Sequence, residues 1–236
     1  MSKKLGIIGG MGPLATALFM ELVIEMTEAY KDSEHIHMDI VNMPGIPDRT
    51  DYILGKKKES PVPEILRIKG ELEARGAQVI AMPCNTAFYF YEELIRTGLP
   101  MIHPIRESAL CLKEAGVKSV GILATDGTVQ TQLFQTGLAE HGITAIIPDE
   151  THQKLVMSMI YDDVKAGKSI PADKIQAVES HLKDRGAEAL VLGCTELSVA
   201  KRSGLVKEGY LDTLEVMARK AVLECGVLKK QYENLL

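Results

Sequence analysis

Two of the four cysteines stand where this chain could use them as an acid and a base. Cys84 follows the apolar run Val79 to Met82, and Cys194 follows Leu190 to Leu192. Each is succeeded by small polar residues, Asn85-Thr86 in one case and Thr195-Glu196 in the other. In parallel α/β proteins, ligands bind just beyond the carboxyl ends of the strands. Small polar residues at that point start helices. A thiolate at a helix N-terminus is stabilised by unpaired N–H groups and the helix dipole. Each cysteine is therefore expected to be an activated sulfur beside an anion-binding turn. One thiol and one thiolate suit the inversion of a stereocentre next to a carboxylate. One group removes a proton from one face while the other supplies a proton to the opposite face. Helix N-termini around the carboxylate would hold the charge that develops. Cys111 and Cys225 read as small buried hydrophobes.

The elements that must position these sulfurs repeat. Leu72-Glu-Ala-Arg75-Gly76-Ala77 leads into the apolar run before Cys84, and Leu182-Lys-Asp-Arg185-Gly186-Ala187 leads into the run before Cys194, at an ungapped offset of 110. Gly6-Ile7-Ile8 with Gly12 and Thr16 matches Gly121-Ile122-Leu123 with Gly127 and Thr131 at an offset of 115. Strands are expected at Leu5–Ile8, His37–Asn42, Val79–Met82, Met101–Ile105, Val120–Ala124, Thr144–Ile147 and Leu190–Leu192. Helices are expected at Leu14–Tyr30, Glu64–Arg75, Lys174–Arg185 and Leu214–Glu233. Strands alternating with helices imply mainly parallel sheets flanked by helices. The predicted fold is α/β, with two similar lobes related by a pseudo-twofold axis and the active site between them. One lobe spans residues 1–100 plus 210–236, and the other spans 101–209. Closure over the substrate would shield a carbanion from water.

Bulk properties exclude several classes. The 236 residues are 46% hydrophobic and 25% charged, with a net charge of −5 and no long basic block. That argues against a nucleic-acid partner. No apolar stretch is long enough to span a bilayer. The start, Met1 to Leu5, lacks the pattern of a signal peptide. A cytoplasmic location with free thiols is expected. Without a Cys-x-x-Cys or a His-rich tract, no metal site is expected. His103 reads as a core or hinge residue, and His35, His37, His141, His152 and His181 read as peripheral. A rival reading is a dinucleotide-dependent oxidoreductase, because Gly10-x-Gly12-x-x-Ala15 after a strand fits the phosphate-binding fingerprint. Against it, the second strand ends at Asn42 and not at an acidic residue, and Pro13 interrupts the motif.

Met82-Pro83-Cys84-Asn85-Thr86-Ala87 and Leu192-Gly193-Cys194-Thr195-Glu196-Leu197 resemble the twin signatures of the aspartate/glutamate racemase superfamily. Gly9 to Thr16, Ile46-Pro47-Asp48-Arg49-Thr50 and the segment Tyr161 to Gly167 resemble its aspartate branch. The likeness runs over nearly the whole chain. It implies interconversion of L- and D-aspartate with neither pyridoxal phosphate nor metal, Cys84 and Cys194 as the catalytic bases, and a homodimer. Glutamate or broad-specificity racemisation is the alternative, and a non-catalytic binder of acidic amino acids a remoter one. The resemblance also implies that Asn85, Thr86 and Thr195 hold the substrate backbone, and it associates Asp48, Arg49 and Lys165 with recognition. Arg49 and Lys165 are expected to take the side-chain carboxylate, while Asp48 orients Arg49 or meets the ammonium. Met11, Ala87, Thr125 and Glu196 complete the expected substrate-binding set. The aspartate branch usually has a histidine directly after the Cys-Asn-Thr-Ala run. Phe88 stands there instead, which bears on rate and substrate preference.

Overall fold

The computed structural model describes residues 3–206 and 208–236, so Met1 and Ser2, part of the reading of the chain's start, lie outside the described residues. The chain divides into two compact units. One is Met1–His103 with Leu214–Leu235, and the other is Pro104–Thr213 with Leu236.

The first unit contains strands β1 (Leu5–Gly9), β2 (Met38–Asn42) and β3 (Val79–Ala81) in the order β2-β1-β3, all parallel. The second contains β4 (Ser119–Leu123), β5 (Thr144–Ile146), β6 (Ala189–Leu192) and β7 (Tyr210–Asp212) in the order β5-β4-β6-β7, also parallel. Strands β1, β3 and β6 are buried along their whole length, as sheets covered by helices on both faces require.

The repeat seen in the sequence recurs in the bonding. Helix Val62–Ala74 precedes β3 and helix Ala172–Asp184 precedes β6, with both ends 110 residues apart. Each helix stops in the same way. Gly76 and Gly186 take positive φ values of 87° and 93°, which glycine adopts without the Cβ penalty. Ala77 N–H then donates to Leu72 O, as Ala187 N–H does to Leu182 O. This is the Schellman closure of a helix C-terminus. Gly6 and Gly121 serve the same purpose in β1 and β4. A Cβ at Gly6 would lie 3.2 Å from Leu72 Cβ, and one at Gly121 would lie 2.9 Å from the matching Leu182 Cβ. Thr16 Oγ1 donates to Gly12 O, and Thr131 Oγ1 to Gly127 O, each back one helical turn.

Four elements differ from expectation. The strand expected over Met101–Ile105 shrinks to one parallel bridge, Ile80↔Met101. Pro104 opens the helix Pro104–Glu114, because proline has no N–H for a ladder and suits a first helical position. His103 therefore lies in a connection, not on a strand. The first long helix is Pro13–Met26 and the last is Thr213–Cys225, both shorter than expected. Gly226 follows the last one, and Thr27 and Leu228 pair beyond both ends in an antiparallel bridge. Finally, Tyr210–Asp212 pairs with β6 as an extra strand. The chain thus leaves the second unit at Thr213, later than the expected boundary at 209/210.

Candidate active site

In both units, the segments that follow the strand ends carry the predicted residues. Cys84 is the N-cap of a 3₁₀ helix, Asn85–Phe90, and Cys194 is the N-cap of another, Thr195–Leu197. Both thiols are buried and neither is in a disulfide. The turns close alike, with Ala87 N–H donating to Cys84 O at 3.2 Å and Leu197 N–H donating to Cys194 O at 2.9 Å. Asn85, Thr86, Thr195 and Glu196 are themselves buried within these turns. The cysteines, not the polar residues, hold the capping position. These short turns are also not the α-helix N-termini that the sequence suggested.

The first unit gathers Met11, Arg49 and the Cys84 turn. Arg49 is buried, and its Nη2 donates to Met11 O at 3.3 Å while Nη1 donates to Ile46 O and Pro47 O. The guanidinium thus braces the loops after β1 and β2. Asp48 caps the helix Arg49–Ile53 by accepting from Asp51 N–H at 2.9 Å. Tyr52 on that helix packs against Phe90 of the cysteine turn, ring centroids 5.7 Å apart. Ala87 and Phe88 are buried beside Cys84 in sequence. The Phe88 ring lies 4.9 Å from the His103 ring and 5.8 Å from that of Tyr91. Phe88 is thus a packing residue, and His103 completes its aromatic cluster.

The second unit gathers Thr125, Lys165 and the Cys194 turn. Thr125 caps the helix Asp126–Gln130 through Thr128 N–H. Gln153 reaches across to Ala124 O and Asp126 Oδ1, tying that turn to the helix Glu150–Ser158. A π-helical stretch, Met159–Val164, continues that helix and packs on the Thr195–Leu197 turn. Lys165 follows it, with Nζ 4.3 Å from the centre of the Tyr161 ring.

Cys194 has a specific partner. Its Sγ donates to Glu196 Oε2 at 2.9 Å, and Thr195 Oγ1 lies 3.5 Å from the same oxygen. Burial, together with the Glu196 carboxylate beside it, pushes the thiol well above its ordinary range. The Glu196 backbone N–H and the Lys165 charge pull the other way but do not prevail. The expectation of an activated thiolate is therefore corrected at Cys194. Burial and a neighbouring anion outweigh a three-residue turn, so this sulfur keeps its proton at neutral pH. The second carboxylate oxygen, Glu196 Oε1, is buried with no hydrogen-bond partner among the described residues.

The Asp/Glu/hydantoin racemase pattern matches residues 8–221. The chain belongs to this family. Its fold is similar to that of an aspartate racemase from Picrophilus torridus, with a TM-score of 0.84, 33% identity, and coverage of 98% of this chain and 97% of that one. An aspartate racemase homologue from Pyrococcus horikoshii is similar with a TM-score of 0.75 and 25% identity over 94% of this chain and 98% of that one. A broad-specificity amino-acid racemase of Bacillus subtilis is 28% identical over 204 residues, 82% of this chain and 86% of its own length.

Family membership disposes of the dinucleotide reading, and the Gly-rich turn has an internal cause. A Cβ at Gly10, whose φ is +98°, would lie 2.3–2.5 Å from backbone atoms of Met43. In this racemase-family chain the glycine lets two loops meet. Asp39 on β2 is held by Lys4 and Arg75. Among the described residues no helix is long and apolar enough to cross a membrane.

One grouping was missed by the sequence. The sequence places His152 and His181 at the periphery, yet their rings stack at 3.9 Å with 11° between planes, beside Asp149. His152 contributes its backbone N–H and its ring to Asp149 and holds that carboxyl down at about 2. Asp149 and His152 stand one turn apart, a spacing that could have drawn notice. His181 is distant in sequence, and no local pattern reveals it.

Proposed function

We propose that this racemase-family chain interconverts L- and D-aspartate through Cys84 and Cys194, one acting on each face of the α-carbon. The observation that carries the reading is the equivalence of the two sulfurs. Each is a buried N-cap of a matching turn, at the carboxyl side of a matching strand, in each of two similar units. In one direction, the Cys84 thiolate takes the α-proton, leaving an enediolate-like carbanion. Cys194 then gives its proton to the opposite face and becomes the thiolate. The return direction exchanges the roles. The proton that Cys194 retains at neutral pH makes it the resting acid.

Recognition is assigned in the same terms. Backbone and side-chain donors of Asn85, Thr86 and Thr195 suit the α-carboxylate. Glu196 Oε1, a buried anionic oxygen without a partner, suits the α-ammonium. Lys165 suits the side-chain carboxylate as a point charge. Arg49 supports the substrate-binding loop of Met11 by donating to its carbonyl. Thr125 and Ala87 are assigned to the same substrate-binding set, and Asp48 caps the helix that begins at Arg49.

The choice of aspartate rests on the Picrophilus relative, which is described as an aspartate racemase. The broad-specificity Bacillus relative gives the second reading, a racemase of wider scope. The test is loss of optical rotation by each aspartate and each glutamate enantiomer, with chelator present and no added cofactor. Both aspartate enantiomers should lose rotation at equal final composition, with glutamate slower by about tenfold or more, as one methylene in a fitted pocket allows. Equal rates across several amino acids would favour the wider reading, and loss of activity in chelator would sink the cofactor-free mechanism.

A further inference from the structure

Asp149, His152 and His181 offer three metal-binding atoms that all lie within 4.8 Å of one another. Asp149 caps the helix Glu150–Ser158, and His152 stands one turn into it. His181 lies in the last turn of Ala172–Asp184, which packs beside it. Lys174 at the other end of that helix bonds Ser158 and Asp163, so the two helices run antiparallel. They form a hairpin with Lys165 near its tip and the Asp149 cluster at its base.

Separations within the cluster bracket those that a first-row transition ion imposes. His152 Nδ1 is 2.7 Å from Asp149 Oδ1, and His181 Nδ1 is 3.8 Å from Asp149 Oδ2. A tetrahedral ion with bonds of about 2.0–2.2 Å holds its donors about 3.3–3.6 Å apart, between the two observed values. Two imidazoles and a carboxylate are a donor set suited to this class of ion. We propose that Asp149, His152 and His181 bind a divalent ion of the zinc, cobalt and nickel class, clamping the base of the hairpin that carries Lys165. The clamp is separate from the proposed racemisation steps, none of which is routed through a metal.

Binding requires a small rearrangement. Ring lone pairs lie in the ring planes, so the stacked rings must splay to converge on one ion. Histidine χ2 is a broad torsion, and both side chains are partly exposed, at 25% and 16%. The hydrogen bond between His152 Nδ1 and Asp149 Oδ1 must open as well, and His181 Nε2 must give up the bond it accepts from Asp149 N–H at 3.2 Å. That amide lies at the exposed start of the helix, where water can replace the ring.

The test is a cobalt(II) titration of the full chain, free of any affinity tag, near neutral pH. One equivalent should bind with visible ligand-field bands and no sulfur-to-cobalt charge-transfer band. The thermal midpoint should rise with metal. Asp149→Asn keeps an N-cap oxygen and so preserves the fold while removing the anionic ligand. Asp149→Asn and His181→Ala should each weaken binding by about tenfold or more and abolish the metal-induced rise. Circular dichroism in chelator checks that both variants are folded. No cobalt binding by the parent chain overturns the proposal. So does binding unchanged in both variants, or a sulfur charge-transfer band as the sole signal.

Discussion

Cys84→Ser and Cys194→Ser should each lower aspartate racemisation by about 10²- to 10⁴-fold, the usual worth of a positioned acid or base. A serine hydroxyl occupies nearly the thiol's place but is far less acidic. Neither face of the α-carbon can be served in both directions once one thiol is lost. Because both side chains are buried, the fold must be checked by circular dichroism, and Cys111→Ser, at a partly exposed position on the helix Pro104–Glu114, provides the control. Its activity should match the parent chain. The two active-site variants should fall together, since each inversion needs one thiol to take a proton and the other to give one. Full activity in either would remove that cysteine from the chemistry.

Glu196→Gln should move the alkaline limb of the kcat/KM profile to lower pH by about one unit or more. The limb reports loss of the proton from the resting acid. In the parent chain, burial and the Glu196 carboxylate raise the Cys194 thiol well above its ordinary range. The acid form therefore persists as pH rises, and activity is kept. Glutamine removes the like charge but still offers Oε1 as an acceptor for the Sγ–H. The thiol then ionises at lower pH, and activity is lost earlier. Each unit of displacement is worth about tenfold on that limb. Ultraviolet thiolate absorbance, titrated in parallel, should show the same displacement in one sulfur. An unmoved limb with an unmoved titration would mean that Glu196 does not govern Cys194. A second effect is expected in KM, because Oε1 is the oxygen assigned to the substrate ammonium.

Much of the frame behind these predictions was legible from residue type and spacing. Gly76 and Gly186 mark helix ends because only glycine takes those positive φ values without strain, so the 110-residue offset carries directly into bonding. Gly6 and Gly121 mark where a helix presses on a strand, for want of room for a Cβ. Position of the cysteines after β3 and β6 followed from the same offset. The contact between Cys194 and Glu196 did not, because it depends on how a three-residue turn folds its own side chains. Arg49 was expected to take the substrate's side-chain carboxylate, and its bonds to the main-chain carbonyls of Met11, Ile46 and Pro47 add a bracing role that was not foreseen. A long side chain can brace loops as well as meet a ligand, and residue type alone does not state which carbonyls it will reach. Pro104 was visible but was outweighed by the apolar run around it, so a strand was expected where one bridge forms. The His152–His181 pair depended on two helices lying side by side, which no local pattern states.

The central claim is that two thiols serve two faces of one carbon. It is tested most directly by following α-deuterium incorporation in deuterated water, enantiomer by enantiomer, in the parent chain and in each serine variant. In the parent chain, both aspartate enantiomers should gain deuterium as they racemise. Each single variant should still exchange the α-proton of one enantiomer through its remaining thiol, without inverting it, and the two variants should favour opposite enantiomers. If both variants exchange the same enantiomer, or if either exchanges and inverts both at the parent rate, the two sulfurs do not divide the faces between them.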